Sequence, residues 1–318
     1  MNAVDFTNSI EKVCEYGGSE KKKKIIYNGE VYLLKFPDPI REKNMPLSYI
    51  NNVFSEYIGC KIFESVNIPV QKVILGIYNE KQEKEVKQKV VVACKDFTNE
   101  KQKLIEFSSL ANSITDVDKK FTTKIEDIYE VFNNLNYDFD KKLMIENFWN
   151  MFVVDTLIGN TDRHLSNFGV IDDGEALKFA PVYDCGSALH PLLTDEKINY
   201  LLNNESEFKN VAYSIYPVYT YENKKITYSE FYKKDISDLN LRRIKSNQKI
   251  TYSEFYAKDI PDLNDALLRI YPRIDMNKIY DIIDNTMYLS LERKEFLKKS
   301  VTIRKEKILD IAYKKLSR

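Results

Sequence analysis

Three side chains carry the densest chemistry in this chain of 318 residues: Asp162, Asn167 and Asp184. The first two stand five residues apart in N-T-D-R-H-L-S-N-F-G-V, directly after the apolar run F-W-N-M-F-V-V-D-T-L-I-G, and the third lies in P-V-Y-D-C-G. Phosphoryl transfer needs such groups: a carboxylate within reach of an attacking hydroxyl, to take its proton, and oxygen ligands for the Mg²⁺ that neutralises charge on the phosphate. Asp162 suits the base, Asn167 and Asp184 suit the metal, and Gly186 lets the chain turn away behind the second carboxylate.

Singly, each residue is what a turn uses, because Asx side chains satisfy neighbouring backbone groups. Together, an apolar helix, D-R-H-x-x-N and then a strand-borne D-C-G follow the order of the kinase signature, D-x-x-x-x-N before D-x-G. The two strings resemble the HipA-like family of bacterial serine/threonine kinases, and D-A-L-L-R-I-Y-P-R-I-D-M-N-K-I at 265–279 is similar to the cell-translocating branch of that family. The resemblance implies an α+β, two-lobed kinase fold with a small β-rich N-lobe and a mainly helical C-lobe. It also implies ATP and Mg²⁺ as cofactors, transfer of the γ-phosphate to a protein serine or threonine, autophosphorylation, and a role as a bacterial effector or toxin. The front of the chain is expected to be too short for the extra N-terminal subdomain of HipA, which puts binding of a DNA-associated antitoxin in question. D-R-H-x-x-N also occurs in phosphoinositide kinases, so a lipid acceptor stays open, as does a nucleotide-binding pseudokinase serving as an interaction module. The identity of the protein substrate and the oligomeric state are not written in these motifs.

Other elements must bring a nucleotide to this loop. K-K-I-I-Y-N-G-E-V-Y-L-L-K-F reads as two strands joined by Asn28-Gly29, a strong hairpin signal. The second strand ends on Lys35, where a kinase places the lysine that holds the nucleotide phosphates. In 52–65, Val53, Phe54, Tyr57, Ile58, Ile62 and Phe63 recur at amphipathic helical spacing with Glu56 among them. An acid on that face needs a partner, and a Lys35–Glu56 pair between strand and helix is predicted. Upstream, Gly17 and Gly18 allow backbone N–H groups to approach phosphate oxygens, and Lys22, within the lysine run 21–24, adds charge. In HipA-like kinases the corresponding loop covers the phosphates and can carry an inhibitory autophosphorylation site, for which Ser19 is the candidate here. Strands are predicted at 70–78 and 89–95. The second, K-V-V-V-A-C-K-D-F, runs into the hinge between lobes, where backbone groups of Cys94, Lys95, Asp96 and Phe97 are expected to bind adenine.

These readings divide the chain into an N-lobe at 1–97 and a C-lobe at 98–318. Within the C-lobe, 148–158 reads as a buried helix with Trp149, Phe152, Val153 and Leu157 in the core, its task being to fix the base. Arg163 and His164 have two readings, hydrogen bonding that shapes the loop, which is preferred, and contact with phosphate. K-I-T-Y-S-E-F-Y-K-K-D-I-S-D-L-N from Lys225 returns as K-I-T-Y-S-E-F-Y-A-K-D-I-P-D-L-N from Lys249, a tandem repeat over 225–264 with an offset of 24 residues. Two copies are too few for a solenoid and read as a duplicated segment. The last helix, 291–316, is basic and is expected to start on Ser290 as N-cap.

Composition narrows the class further. Lysine plus arginine equals aspartate plus glutamate at 48 each, which argues against a dedicated nucleic-acid binder. Cys14, Cys60, Cys94 and Cys185 lie far apart without a C-x-x-C pair, and His164 and His190 are the two histidines, so neither zinc spacing nor a disulfide framework is present. The N-terminus lacks the basic and apolar regions of a signal peptide, and no apolar run approaches the roughly 18 residues that span a bilayer. The protein is expected to be cytoplasmic when made, with signal-free export to a host cell left open.

Overall fold

A computed structural model describes residues 4–13, 21–37, 51–81, 85–114, 123–135, 139–220 and 260–317. Its N-terminal part is built on the hairpin of β3 (Lys22–Tyr27) and β4 (Glu30–Lys35), joined by Asn28 at φ 49° and Gly29 at φ 77°. Two successive left-handed residues match the twist of the flanking strands, which is why Asn-Gly is favoured there. The strands β1 (Val4–Asp5), β2 (Ile10–Lys12), β5 (Val73–Lys81) and β6 (Val86–Lys95) complete a six-stranded sheet in the order β1-β5-β6-β4-β3-β2. It is antiparallel except where β1 lies beside β5.

Side-chain alternation gives this sheet two apolar faces. Phe6, Ile25, Tyr32, Leu34, Val91 and Ala93 form a small cluster on one, while Val92 and Cys94 join the main core on the other, with the helix α1 (Asn52–Ser65). The bounds of α1 are those the spacing predicts, but its surroundings are not those of an amphipathic helix. Val53, Glu56, Ile58, Gly59, Cys60, Ile62 and Phe63 are all buried, because α1 is wedged between the sheet and the helical part. Strand β5 starts at Val73, later than its predicted start at 70; Val70 instead makes an isolated parallel bridge to Val182, just before D-C-G.

The helical part follows. It contains β7 (Lys103–Glu106), α2 (Phe107–Ile114), α3 (Ile125–Asn134), α4 (Lys141–Ile158), β8 (Gly169–Asp172), β9 (Leu177–Phe179), α5 (Asp195–Leu202) and α6 (Glu205–Tyr213). After the undescribed residues come α7 (Pro261–Ile270), α8 (Met276–Asp284), α9 (Leu291–Arg304) and α10 (Asp310–Leu316). Helix α4 is the spine. Asp140 caps its start by accepting from the Leu143 N–H, Gly159 ends it in the left-handed region at φ 65°, and Trp149, Phe152, Val153 and Leu157 are fully buried. Helix α7 packs along it through Leu263, Ala266, Leu267 and Ile270. The first turn of α7 is P-D-L-N, the tail of the second repeat copy, with Leu263 fully buried. The first copy, and the second up to its tail, fall in 221–259, outside the described residues.

Ser290 caps α9 as predicted, its hydroxyl accepting from the Arg293 N–H at 3.2 Å. That helix is less solvated than its charge suggests: Arg293 and Arg304 are buried, and a π-helical turn, Lys305–Leu309, separates Arg304 from α10. Among the described residues no helix is long and apolar enough to cross a membrane.

Candidate active site

Lys35, Glu56 and Asp184 meet where the sheet, α1 and the segment after β9 converge. The Lys35 ammonium donates to Glu56 Oε2 at 2.9 Å and to Asp184 Oδ1 at 2.9 Å. The strand-to-helix pair is therefore formed and buried, with Glu56 only 1 % exposed. Helix α1 is tied in place to present it: the Asn52 amide donates to the Phe36 carbonyl at 3.2 Å, and the Asn51 amide to the carbonyls of Pro191 and Leu193. Close approach of α1 to D-C-G depends on Gly59, since a Cβ there would lie 2.7 Å from the Cys185 Cβ. Asp184 sits at φ 59°, a region non-glycine residues seldom occupy. Burial works to raise the pKa of its carboxyl, but the Lys35 ammonium outweighs it and brings the value down to about 2.

The loop after α4 is held from inside by Arg163. Its guanidinium, 1 % exposed, donates through Nε to Asp155 Oδ2 at 2.9 Å and through Nη2 to Asp155 Oδ1 at 3.1 Å. The same group reaches the carbonyls of Asn167 at 2.9 Å, Asp184 at 3.1 Å and Tyr183. One buried cation thus fastens the D-R-H-x-x-N loop to the D-C-G segment. Burial disfavours its charge, yet the Asp155 carboxylate outweighs that and holds its pKa well above the ordinary value. Asn160 accepts the Asp162 N–H at 3.1 Å on its side-chain oxygen, and the Asn167 amide nitrogen donates to the Asp162 carbonyl at 2.7 Å. The carboxylate of Asp162 is about half exposed, at 45 %. From outside the loop, the Ser108 N–H donates to the Leu165 carbonyl at 2.9 Å and the Phe107 N–H to that of Phe168 at 3.0 Å, so the first turn of α2 satisfies its orphan donors on this loop.

The remaining sequence candidates are placed unevenly. Lys22 is the cross-strand partner of Lys35 and shares its face, and its charge adds to the lowering of the Asp184 pKa. Cys94 is fully buried inside the β4-β6-β5 ladder. At Lys95 and Asp96 the backbone N–H groups are already engaged, with the carbonyls of Lys72 and Val31 at 2.8 Å each, and the Lys95 carbonyl accepts from the Gln71 amide at 3.0 Å. Phe97 packs its ring 5.9 Å from that of Tyr183. Gly17, Gly18 and Ser19 lie outside the described residues.

Comparison with known proteins fits this geometry. The HipA-like C-terminal domain matches residues 14–239. The chain belongs to the HipA-like kinase family. A serine/threonine-protein kinase of Helicobacter pylori, CtkA, is 37 % identical over 98 % of this chain and 88 % of its own length. The crystal structure of the H. pylori proinflammatory kinase CtkA superposes with a TM-score of 0.82 at 36 % identity, covering 99 % of this chain and 98 % of that one. HipA of Shewanella oneidensis, solved with HipB and operator DNA, matches with a TM-score of 0.54 at 13 % identity over 95 % of this chain and 67 % of that one, a likeness of fold.

In this HipA-like kinase, Arg163 takes the loop-shaping role that the sequence reading prefers for it, whereas its buried partner Asp155 and the distant Arg304 were missed. An acid inside the apolar run F-V-V-D-T was a legible signal by the logic that singled out Glu56. Arg304 gave no such signal. Its buried guanidinium donates to the carbonyls of Leu157 at 3.3 Å and Ala212 at 3.0 Å and contacts His190. A Cβ at Gly159 would lie 2.7 Å from it, so the C-cap of α4 must be glycine for packing as well as for its φ. Burial, with the charge of Arg304 next, keeps the His190 pKa well below its ordinary value. As to a metal, no group of three or more His, Cys, Asp or Glu side chains able to hold one gathers among the described residues. The donors at hand are one carboxylate, Asp184, and one amide oxygen, Asn167, whose nitrogen is already committed. That set fits Mg²⁺, which takes one or two oxygens from protein and the rest from phosphate and water.

Proposed function

We propose that the protein is an ATP- and Mg²⁺-dependent serine/threonine protein kinase that transfers the γ-phosphate of ATP to a protein hydroxyl and also phosphorylates itself. The observation that carries this reading is the Lys35 ammonium held between Glu56 and Asp184 at 2.9 Å each, beside a loop that presents Asp162 and Asn167. Asp162 accepts the proton of the attacking hydroxyl. Lys35 contacts the nucleotide phosphates, with Glu56 fixing its direction and Lys22 adding positive potential on the same face. Asn167 and Asp184 would hold Mg²⁺, which would supply positive charge against the phosphates. Because the N–H groups of Lys95 and Asp96 are engaged, adenine contact from the hinge falls to Phe97 and neighbouring carbonyls. Gly17, Gly18 and Ser19 are assigned to the loop over the phosphates, with Ser19 the inhibitory phosphosite.

Labelled ATP offered to a mixed protein lysate and, separately, to phosphoinositide vesicles tests the substrate class. Label is expected in protein; label confined to lipid would reassign the enzyme to the phosphoinositide kinases. The Lys35–Glu56 contact makes a second expectation. Lys35→Met and Glu56→Gln should each lower transfer strongly, while the double variant loses less than the product of the two, with a coupling of about 0.5–3 kcal/mol. Strictly multiplicative losses in steady-state assays would mean the pair does not act as a unit.

A further inference from the structure

Asn51 stands at the N-cap of α1, where an asparagine ordinarily accepts from the first N–H groups of its own helix, yet its side chain makes no such bond. Its amide turns away and donates to the carbonyls of Pro191 at 3.3 Å and Leu193 at 3.2 Å, and its backbone N–H also goes to Pro191, at 3.2 Å. The Leu193 carbonyl has a second donor. Arg293, on α9 and 4 % exposed, donates to it through Nη2 at 2.7 Å, and to Asp195 Oδ1 through Nε at 3.0 Å and Nη2 at 2.7 Å. One carbonyl, with its two lone pairs, thus serves both helices. The chain that leads from D-C-G to this carbonyl is strained: Leu189 and His190 lie at φ 58° and 55°, a conformation that non-glycine residues keep only where their surroundings hold them. Helix α9 supplies part of that hold, since Arg304 meets the His190 ring and Phe296 packs edge-on against it at 5.4 Å. The Leu189 N–H is held by the Ile158 carbonyl at 3.0 Å.

We propose that Arg293 is a positioning residue for phosphoryl transfer, acting through the Leu193 carbonyl and Asn51 on the entry of α1 and so on the direction of Glu56. This rests on the kinase reading given above. Glu56 follows Asn51 by five residues, about 7.5 Å along the helix axis, so a shift of the N-cap reaches it within two turns. The first turn of α1 has two ties: the Asn52 amide leads to the end of the sheet at Phe36, and the Asn51 amide leads to the segment that α9 holds. Lys35 lies between Glu56 and Asp184 at 2.9 Å from each. When α1 withdraws Glu56, the ammonium is left to Asp184 alone, which turns it from the nucleotide phosphates and occupies a carboxylate assigned to the metal. Arg293 touches neither nucleotide nor acceptor in this scheme. Its effect passes from α9 to the strand-to-helix pair by way of one shared oxygen.

The test uses the full-length protein, with labelled ATP and casein for rates and with amide hydrogen exchange read by mass spectrometry without nucleotide. Asn51→Asp separates position from stability, because aspartate suits an N-cap and the positive end of a helix as well as asparagine does, yet offers no N–H to the two carbonyls. It is expected to keep a denaturant midpoint close to the parent's and to lower kcat/KM for ATP by about 10- to 100-fold, the scale on which a displaced catalytic group slows a reaction. Arg293→Met should act likewise with KM for casein within about twofold, and Arg293→Lys, which keeps a donor for the Leu193 carbonyl, should regain part of the rate. Exchange in 52–58 of α1 should rise by about tenfold in Asn51→Asp and Arg293→Met, while that in 144–158 of α4 stays as in the parent. Either change added to Glu56→Gln should slow transfer little beyond Glu56→Gln alone, since the pair it positions is already gone. Losses that multiply in that combination, rates within about twofold of the parent for both Asn51→Asp and Arg293→Met, or exchange that rises equally in α1 and α4 would overturn the proposal. Asp162→Asn is run in parallel. Loss of transfer there with Asn51→Asp and Arg293→Met unimpaired sinks the role of Arg293 alone, whereas an active Asp162→Asn removes the kinase reading and that role with it.

Discussion

Asp162→Asn is expected to abolish phosphoryl transfer while leaving Mg-ATP affinity within about threefold, since a base acts on the acceptor hydroxyl and not on the nucleotide. The substitution keeps the shape of a half-exposed side chain whose position comes from backbone contacts with Asn160 and Asn167, so the fold should be unaffected. General-base catalysis contributes about 10²- to 10⁴-fold, which sets the size of the fall in turnover. Calorimetry and steady-state rates on one preparation check both halves. Turnover near that of the unaltered protein would remove Asp162 from the mechanism.

Arg163→Met carries the largest expected effect on stability. The change leaves the Asp155 carboxylate, 1 % exposed, without the guanidinium that pairs with it, and the carbonyls of Asn167, Tyr183 and Asp184 without a donor. Removing one partner of a buried ion pair costs about 3–5 kcal/mol, a large part of the stability of a typical domain. Denaturant unfolding should show that loss. Replacing both partners, Arg163→Met with Asp155→Leu, should return part of the stability, because the stranded charge is gone, yet not the activity, because the loop and D-C-G are no longer tied together. An Arg163→Met protein as stable as the parent would contradict the account of the loop.

The site was legible wherever its chemistry is written in short, contiguous strings. Local spacing singles out Asp162, Asn167 and Asp184 as candidates, turn chemistry gives the hairpin at Asn28-Gly29, and the misfit of an acid on an apolar helix face points to Glu56. Tertiary contact decided what remained hidden. Strands β1 and β2 span two and three residues, too short for any period to show, and β7 to β9 are nearly as short. Periodicity gave the limits of α1 but not its burial, which comes from being packed between sheet and helices. Arg304 reaches the carbonyl of Leu157 across 147 positions of sequence, a distance over which no local pattern carries information.

The most direct measurement is mass spectrometry of the protein and of an added protein acceptor after incubation with Mg-ATP, run on the unaltered chain and on Asp162→Asn. Phosphate on serine or threonine of both proteins with the unaltered chain, and on neither with Asp162→Asn, is the result expected of a serine/threonine kinase built on this loop. Unmodified serine and threonine with the unaltered chain, or equal modification with Asp162→Asn, would contradict it.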